Sequence, residues 1–209
     1  PYTTLFYSTP ELAEKAHHAV IPRIAFDLGR LRNFQSIHHQ QDVNRVCLEV
    51  IEKCEQSSRA WSVREKFDLA ISSAMHALSY RKESFCTSEE PYILLAEAYL
   101  GLFDLNQVYF FLSKAECFIM KNPGISNIQK SRIHRNYGKL LSIQGLCDSA
   151  RQEFSKDVYM SSLQYGPESV EASIGYALMA NVLGMQQRGV ACDAFAQRFV
   201  EIWKKLLDK

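Results

Sequence analysis

The sequence predicts an all-α chain built from repeated helix pairs, and three observations lead there. Glycine and proline are few, 9 and 6 in 209 residues, and punctuate the second half at Pro91, Pro123-Gly124 and Gly166-Pro167. Between these breaks, apolar residues recur at helical spacing, as in Ile93, Leu94, Leu95, Ala98, Leu102 and again in Ile133, Tyr137, Leu140, Leu141. No stretch alternates apolar and polar residues long enough to argue for a strand. Third, a two-part pattern recurs with its parts always 12 residues apart.

That pattern is a small residue and an aromatic or leucine on one helix, then a small residue and an apolar one on the next. Leu95-Ala96-x2-Tyr99 is followed by Val108-x3-Leu112, with Ala115 beyond. Tyr137-Gly138-x2-Leu141 is followed by Ala150-x3-Phe154, and Met179-Ala180-x2-Leu183 by Cys192-x3-Ala196. A degenerate earlier copy places Trp61 in the tyrosine slot, before Ala70, Ala74 and Ala77. This resembles the tetratricopeptide repeat. Small residues let the paired helices approach, aromatic and leucine positions fill the gap between pairs, and stacking builds one core. The expected architecture is about four tetratricopeptide-like pairs forming a right-handed solenoid.

The copies lie 38, 42 and 42 residues apart, counted from Ala70 to Val108 to Ala150 to Cys192. The usual period is about 34, so longer helices and links are expected; HEAT-type repeats of about 40–47 residues are the rival, disfavoured by the motif spacing. The link Tyr165-Gly166-Pro167-Glu168-Ser169-Val170 is similar to the inter-repeat turn of the kinesin light chain class, with Pro167 expected in a first helical turn. Residues 1–45 do not fit the repeat and are expected to form an irregular arm with one helix, from about Ile24; the repeat domain is expected over 46–209. The chain opens on Pro1 with no basic-then-apolar leader, so it is expected to be a fragment lacking its true start.

Composition narrows the function classes. Lys plus Arg total 24 and Asp plus Glu 23, a formal charge of +1 that calls for neither nucleic acid nor an anionic membrane as partner. The apolar run near Tyr109-Phe110-Phe111-Leu112 is too short to span a bilayer. The six cysteines, Cys47, Cys54, Cys86, Cys117, Cys147 and Cys192, never come within the two-residue spacing of zinc knuckles, and are expected as reduced, buried small hydrophobes. The pairs His17-His18 and His38-His39 point about 100° apart on a helix and make poor bidentate sites. His76 and His134 read as surface or internally satisfied residues. Glu89-Glu90 sit at an expected helix start, where they suit the dipole. No nucleophile elbow, phosphate loop or His-Glu-x2-His motif occurs, so no catalytic residue, metal or cofactor is expected.

The repeat suggests a binding surface instead. First helices line the concave face of such stacks through pattern positions 2, 5, 9 and 12. These are Arg132, Arg135, Lys139 and Ser142 in the third copy; Glu90, Ile93, Glu97 and Leu100 in the second; and Ile174, Ala177, Asn181 and Gly184 in the fourth. Arg132, Arg135, Asn136, Lys139, Glu97 and Asn181 are the candidate partner-binding residues, the three cations pairing carboxylates of an extended or helical segment. Unpartnered, they would be solvated surface charges. Arg132 and Asn136 also match loosely the carboxylate clamp of chaperone-binding relatives, whose other members are absent.

Three segments carry a closer resemblance: Tyr92 through Leu102, then His134-Arg135-Asn136-Tyr137-Gly138, then Asn181 through Glu201-Ile202-Trp203. Together with the Tyr159–Gly166 region they resemble, in order, the family of the MYND-type zinc finger domain-containing protein twelve, over roughly Phe67 to Leu207. That resemblance implies a non-enzymatic protein of the cytoplasm and cytoskeleton in the ciliary or flagellar axoneme. It would tether an inner-arm dynein to the doublet beside another tetratricopeptide protein, with a dynein heavy chain and tubulin as partners. The family's zinc ligands have no counterpart here, its helices beyond the Trp203 region are absent, and Glu55–Arg64 reads as an insertion. The alternative function is a cytosolic adaptor of the same fold for peptide segments of a chaperone or cargo.

Overall fold

The computed structural model describes residues 37–83, 88–122 and 124–208. Every regular element among them is helical: α1 Ile37–Val63, α2 Phe67–Glu83, α3 Glu90–Gly101, α4 Leu105–Lys121, α5 Asn127–Ile143, α6 Cys147–Tyr165, α7 Val170–Met185 and α8 Gly189–Leu207. The all-α repeat fold is therefore as expected, and in chain order the helices read as four couples. The helix expected from Ile24, the His17-His18 pair and Cys86 lie outside the described residues. The expected boundary at 45/46 falls inside α1, and Glu55–Arg64 runs through the end of that continuous helix rather than forming a separate loop.

The chain divides into two compact units, 1–103 and 104–209. In the first, α1 and α2 pack together and α3 lies against both. The α1 stripe Cys47, Val50, Ile51, Cys54, Ser58, Trp61 is buried at helical spacing and meets the small stripe Ala70, Ala74, Ala77 of α2. Alanines let the two backbones approach closely enough for Trp61 to pack on Ala70 and Ala98, joining all three helices. Ser58 Oγ donates to the Ala70 carbonyl at 2.9 Å, satisfying the one hydroxyl in that stripe. Glu90, at the start of α3, is buried and accepts from Arg59 Nη2 at 2.8 Å, so the expected dipole partner is also an inter-helix tie.

In the second unit α4 packs on α5, α5 on α6, α6 on α7 and α7 on α8, with α5 also touching α7. Ala150 and Phe154 of α6 form one cluster with Met179 and Val182 of α7, flanked by Leu141, Leu178 and Phe195. This is the inter-pair core that the motif demanded. What seats against Gly138 is the Phe154 ring: a Cβ at Gly138 would lie 2.4 Å from it.

The four turns inside the couples share one conformation. Glu65, Phe103, Gly145 and Gln187 all have positive φ, between 57° and 77°. Lys66, Leu146 and Arg188 each return their N–H to the carbonyl five residues back, on Trp61, Leu141 and Leu183. The aromatic or leucine slot thus ends its helix as well as filling the core. No atom lies within 4 Å of a Cβ added at Gly145, so only backbone strain opposes a side chain there. Gly145→Ala should cost about 1 kcal/mol and Gln187→Gly should gain up to that amount, read by urea denaturation. Equal stability of both variants would remove the strain argument.

Polar side chains cap three helix starts, one inside a couple and two at links between couples. Asp104 accepts from the Gln107 N–H at 3.2 Å to open α4. Ser126 and Gln129 join at the start of α5, the Ser126 N–H donating to Gln129 Oε1 at 3.2 Å. Ser169 accepts from the Ala172 N–H at 3.2 Å to open α7. Pro167 consequently lies in the turn before α7 and not in its first turn, because Ser169 takes the cap position and Gly166, at φ 89°, closes α6.

The thiols differ from one another. Cys47 and Cys54 are buried, Cys147 and Cys192 are partly covered, and Cys117 is exposed, contrary to the expectation that all would be interior. Burial, with Glu55 adding, pushes Cys54 up to about 11 from 9.0. A raised folded value means the neutral thiol is held, so its contribution is full below about pH 9 and is lost as pH climbs towards 11. Stability should fall across that window, and Cys54→Ala should flatten the fall; an unchanged slope in chemical denaturation at pH 8 and 10.5 would refute it.

Candidate partner-binding site

The helix α5 carries Lys130, Arg132, His134, Arg135 and Lys139 and no acidic residue. Acids of α6 meet His134 and Arg135, and Glu116 of α4 accepts from Tyr137 Oη. His134 Nδ1 lies 2.8 Å from Glu153 Oε2, and Lys156 Nζ donates to Glu153 Oε1 at 2.6 Å. Burial alone would raise Glu153, yet the hydrogen bonds from Lys156 and His134 hold it below the usual carboxylate range. His134 is thus internally satisfied, as the sequence suggested.

Arg135 has a different place from the one expected. Its Nε donates to Asp157 Oδ2 at 2.9 Å and its Nη2 to Asp157 Oδ1 at 3.0 Å and to the Glu171 carbonyl at 3.0 Å. Asp157 is fully buried, accepts from Ser131 Oγ as well, and its own carbonyl takes Ser161 Oγ at 2.8 Å. The guanidinium therefore binds α5 to α6 and to the first turn of α7. Asn136 is buried too, which removes it from an open surface and weakens its match to a carboxylate clamp.

Arg132 and Lys139 are half-buried on α5 and both engage neighbouring groups. Asn181 is exposed on α7, near exposed Ile174, Gly184 and Met185. Glu171 is the only charged residue of α7, so its outer face is apolar and amide-bearing beside the basic α5. Glu97 is half-buried on α3, in the first unit, and also engages another group. The arrangement can hold a peptide by apolar contact on α7 and by charge from Arg132 and Lys139.

Sequence reasoning missed Asp157, and a signal for it existed. Ala150, Phe154, Asp157 and Ser161 fall at i, i+4, i+7 and i+11, so the aspartate stands in the inward stripe of α6. An acid there requires a buried cation, and α5 is the helix that supplies one.

Among the described residues no three acidic, histidine or cysteine side chains gather to hold a metal, and no helix is long and apolar enough to cross a membrane. No protein-family model matches the sequence. Solved structures do. BtubC (BKLC) from P. vanneervenii superposes with a TM-score of 0.61 at 14% identity, over 95% of this chain and 88% of that one. The nearly identical TPR-like repeats of a P. anserina protein named for kinesin light chain superpose with a TM-score of 0.55 at 12% identity, over 90% of this chain and 97% of that one. At these identities the likeness shows the fold: this chain has tetratricopeptide-like repeats.

Proposed function

We propose that this chain is a non-enzymatic scaffold of the ciliary or flagellar axoneme that helps dock an inner-arm dynein to the doublet microtubule. The observation that carries the reading is the ordered resemblance from Phe67 to Leu207, whose segments fall on α3, α5 and α7–α8 of a repeat fold suited to holding proteins together. The solved structures of like fold support the repeat part of the reading. A dynein heavy chain and another tetratricopeptide protein are the partners it implies.

The test is to tag the full-length protein in a ciliated cell and fractionate. Retention in detergent-extracted axonemes, with release by high salt alongside a dynein heavy chain, is the expected result. A wholly cytosolic protein would overturn it and favour the peptide-binding adaptor. The surface is tested separately with Arg132→Glu and Lys139→Glu together, which should weaken partner capture at least tenfold. Arg135 is left untouched, because reversing it would oppose Asp157 with a second buried anion and destroy the fold rather than the surface.

A further inference from the structure

The last helix of the second unit, α8, is covered on one side. Ile202 is buried, Phe195 and Phe199 are half-buried, and Trp203 Nε1 donates to Ser173 Oγ of α7 at 3.1 Å, so this side faces α7. Asp193, Gln197, Val200, Lys204 and Leu207 follow one another at steps of four and three and share the opposite side. All five are exposed, Val200 at 43% and Leu207 at 79%. Charges flanking this stripe are already engaged. Arg198 Nη2 and Lys205 Nζ both hold Glu168, at 3.1 and 2.9 Å. Glu201 accepts from Gln197 Nε2 at 3.1 Å and lies 3.6 Å from Arg198. Asp193 and Lys204, by contrast, make no ion pair and no side-chain hydrogen bond among the described residues.

The stripe thus carries one open acid and one open base, about three turns or roughly 16 Å apart on one face. That pattern is complementary to itself when reversed. An antiparallel copy of α8 laid on this face brings each Asp193 to the other's Lys204. Val200 of the two copies then meet near the two-fold axis, and each Leu207 lies over the other's first turn. We propose that the outer face of α8 pairs with the same face of a second copy, antiparallel, through two Asp193–Lys204 ion pairs around Val200 and Leu207. Exposed Asp208 would fall by the other copy's α8 N-terminus, which favours an anion. Parallel pairing would set like charges face to face. A uniformly acidic segment or an anionic membrane would meet Asp193, and a uniformly basic segment Lys204, so the occupant must be bipolar, as a second copy is. The helix dipole also suits an acid near the start and a lysine near the end, but it gives no reason for valine and leucine in water beside them. One helix per copy buries less than the ~800 Å² per partner of a tight complex, so a micromolar dissociation constant is expected. The inference concerns the second unit alone and does not depend on the axonemal reading.

The test is sedimentation equilibrium of the whole chain across about 1–300 μM. Reductant is present, so that exposed Cys117 forms no disulfide between copies. A monomer–dimer equilibrium is expected. Asp193→Lys and Lys204→Asp should each weaken it about fivefold or more, since each sets like charges against one another twice. Mixed together, the two variants should form a heterodimer about as tight as the parent dimer, because each supplies the charge that the other lacks. Leu207→Ser should weaken pairing by a similar factor without moving the thermal midpoint at the lowest concentration, since that side chain is exposed. A monomer at every concentration overturns the proposal and leaves the stripe to another occupant. Dimerisation that both single-charge variants keep overturns it too, as does a mixture no tighter than either variant alone, or growth past the dimer.

Discussion

Asp157→Ala should destabilise the chain by about 3–5 kcal/mol, a large share of the total stability of an ordinary domain. The substitution leaves the Arg135 guanidinium largely enclosed with the Glu171 carbonyl still accepting from it but without its carboxylate, and it also strands the Ser131 hydroxyl. Desolvation of an uncompensated charge, not the loss of attraction, sets that magnitude. A control separates the two. Asp157→Leu with Arg135→Met removes both charges and fills similar volume, and should recover most of the loss or exceed the parent. Urea denaturation of the single and double variants decides it; a single variant within about 1 kcal/mol of the parent would show that water reaches this pair. Gly175 belongs to the same argument, because a Cβ there would lie 2.5 Å from Val158 Cγ2 and 3.1 Å from Asp157 Oδ2.

Phe154→Ala should cost about 3–5 kcal/mol, since the fully buried ring is the contact shared by Gly138 in its own couple and by Met179 and Val182 in the next. Its loss opens a cavity between couples that neither α5 nor α7 can close without leaving its other neighbours. The reciprocal change, Gly138→Ala, sets two effects against each other. Alanine gains up to about 1 kcal/mol of helix propensity, but its methyl would fall 2.4 Å from the ring, and overpacking of a tight core costs about 1–3 kcal/mol. The clash should win, so Gly138→Ala destabilises. Pairing it with Phe154→Leu should cost less than the sum of the two alone, because the smaller side chain gives the methyl room. Strict additivity in denaturation would mean the two positions do not share the space described.

The repeat was legible because its constraints are local. A 12-residue interval between small residues can be met only if two helices of fixed length close on one another. Ala70, Val108 and Ala150 are indeed wholly buried, while Cys192, in the last helix, is only partly covered. Capping was less legible. Pro167 looked like a helix start until Ser169 claimed the cap, since both residues favour neighbouring positions and only backbone geometry chooses between them. The candidate surface was legible only as a set of positions. Arg132, Arg135 and Lys139 share one helix face in sequence, but which cation meets a buried acid depends on a residue 22 positions away.

From sequence alone came the helical class, the couple-by-couple period and the basic character of α5, because each depends on side-chain spacing within one or two helices. Tertiary structure decided that Arg135 ties α5 to α6 and α7, that Asn136 is interior, and that Leu146 and Met185 stay exposed. Those outcomes depend on which side chains from separate helices enclose a charge or leave a methyl in water, and the energy of a charge or a methyl is set by that enclosure.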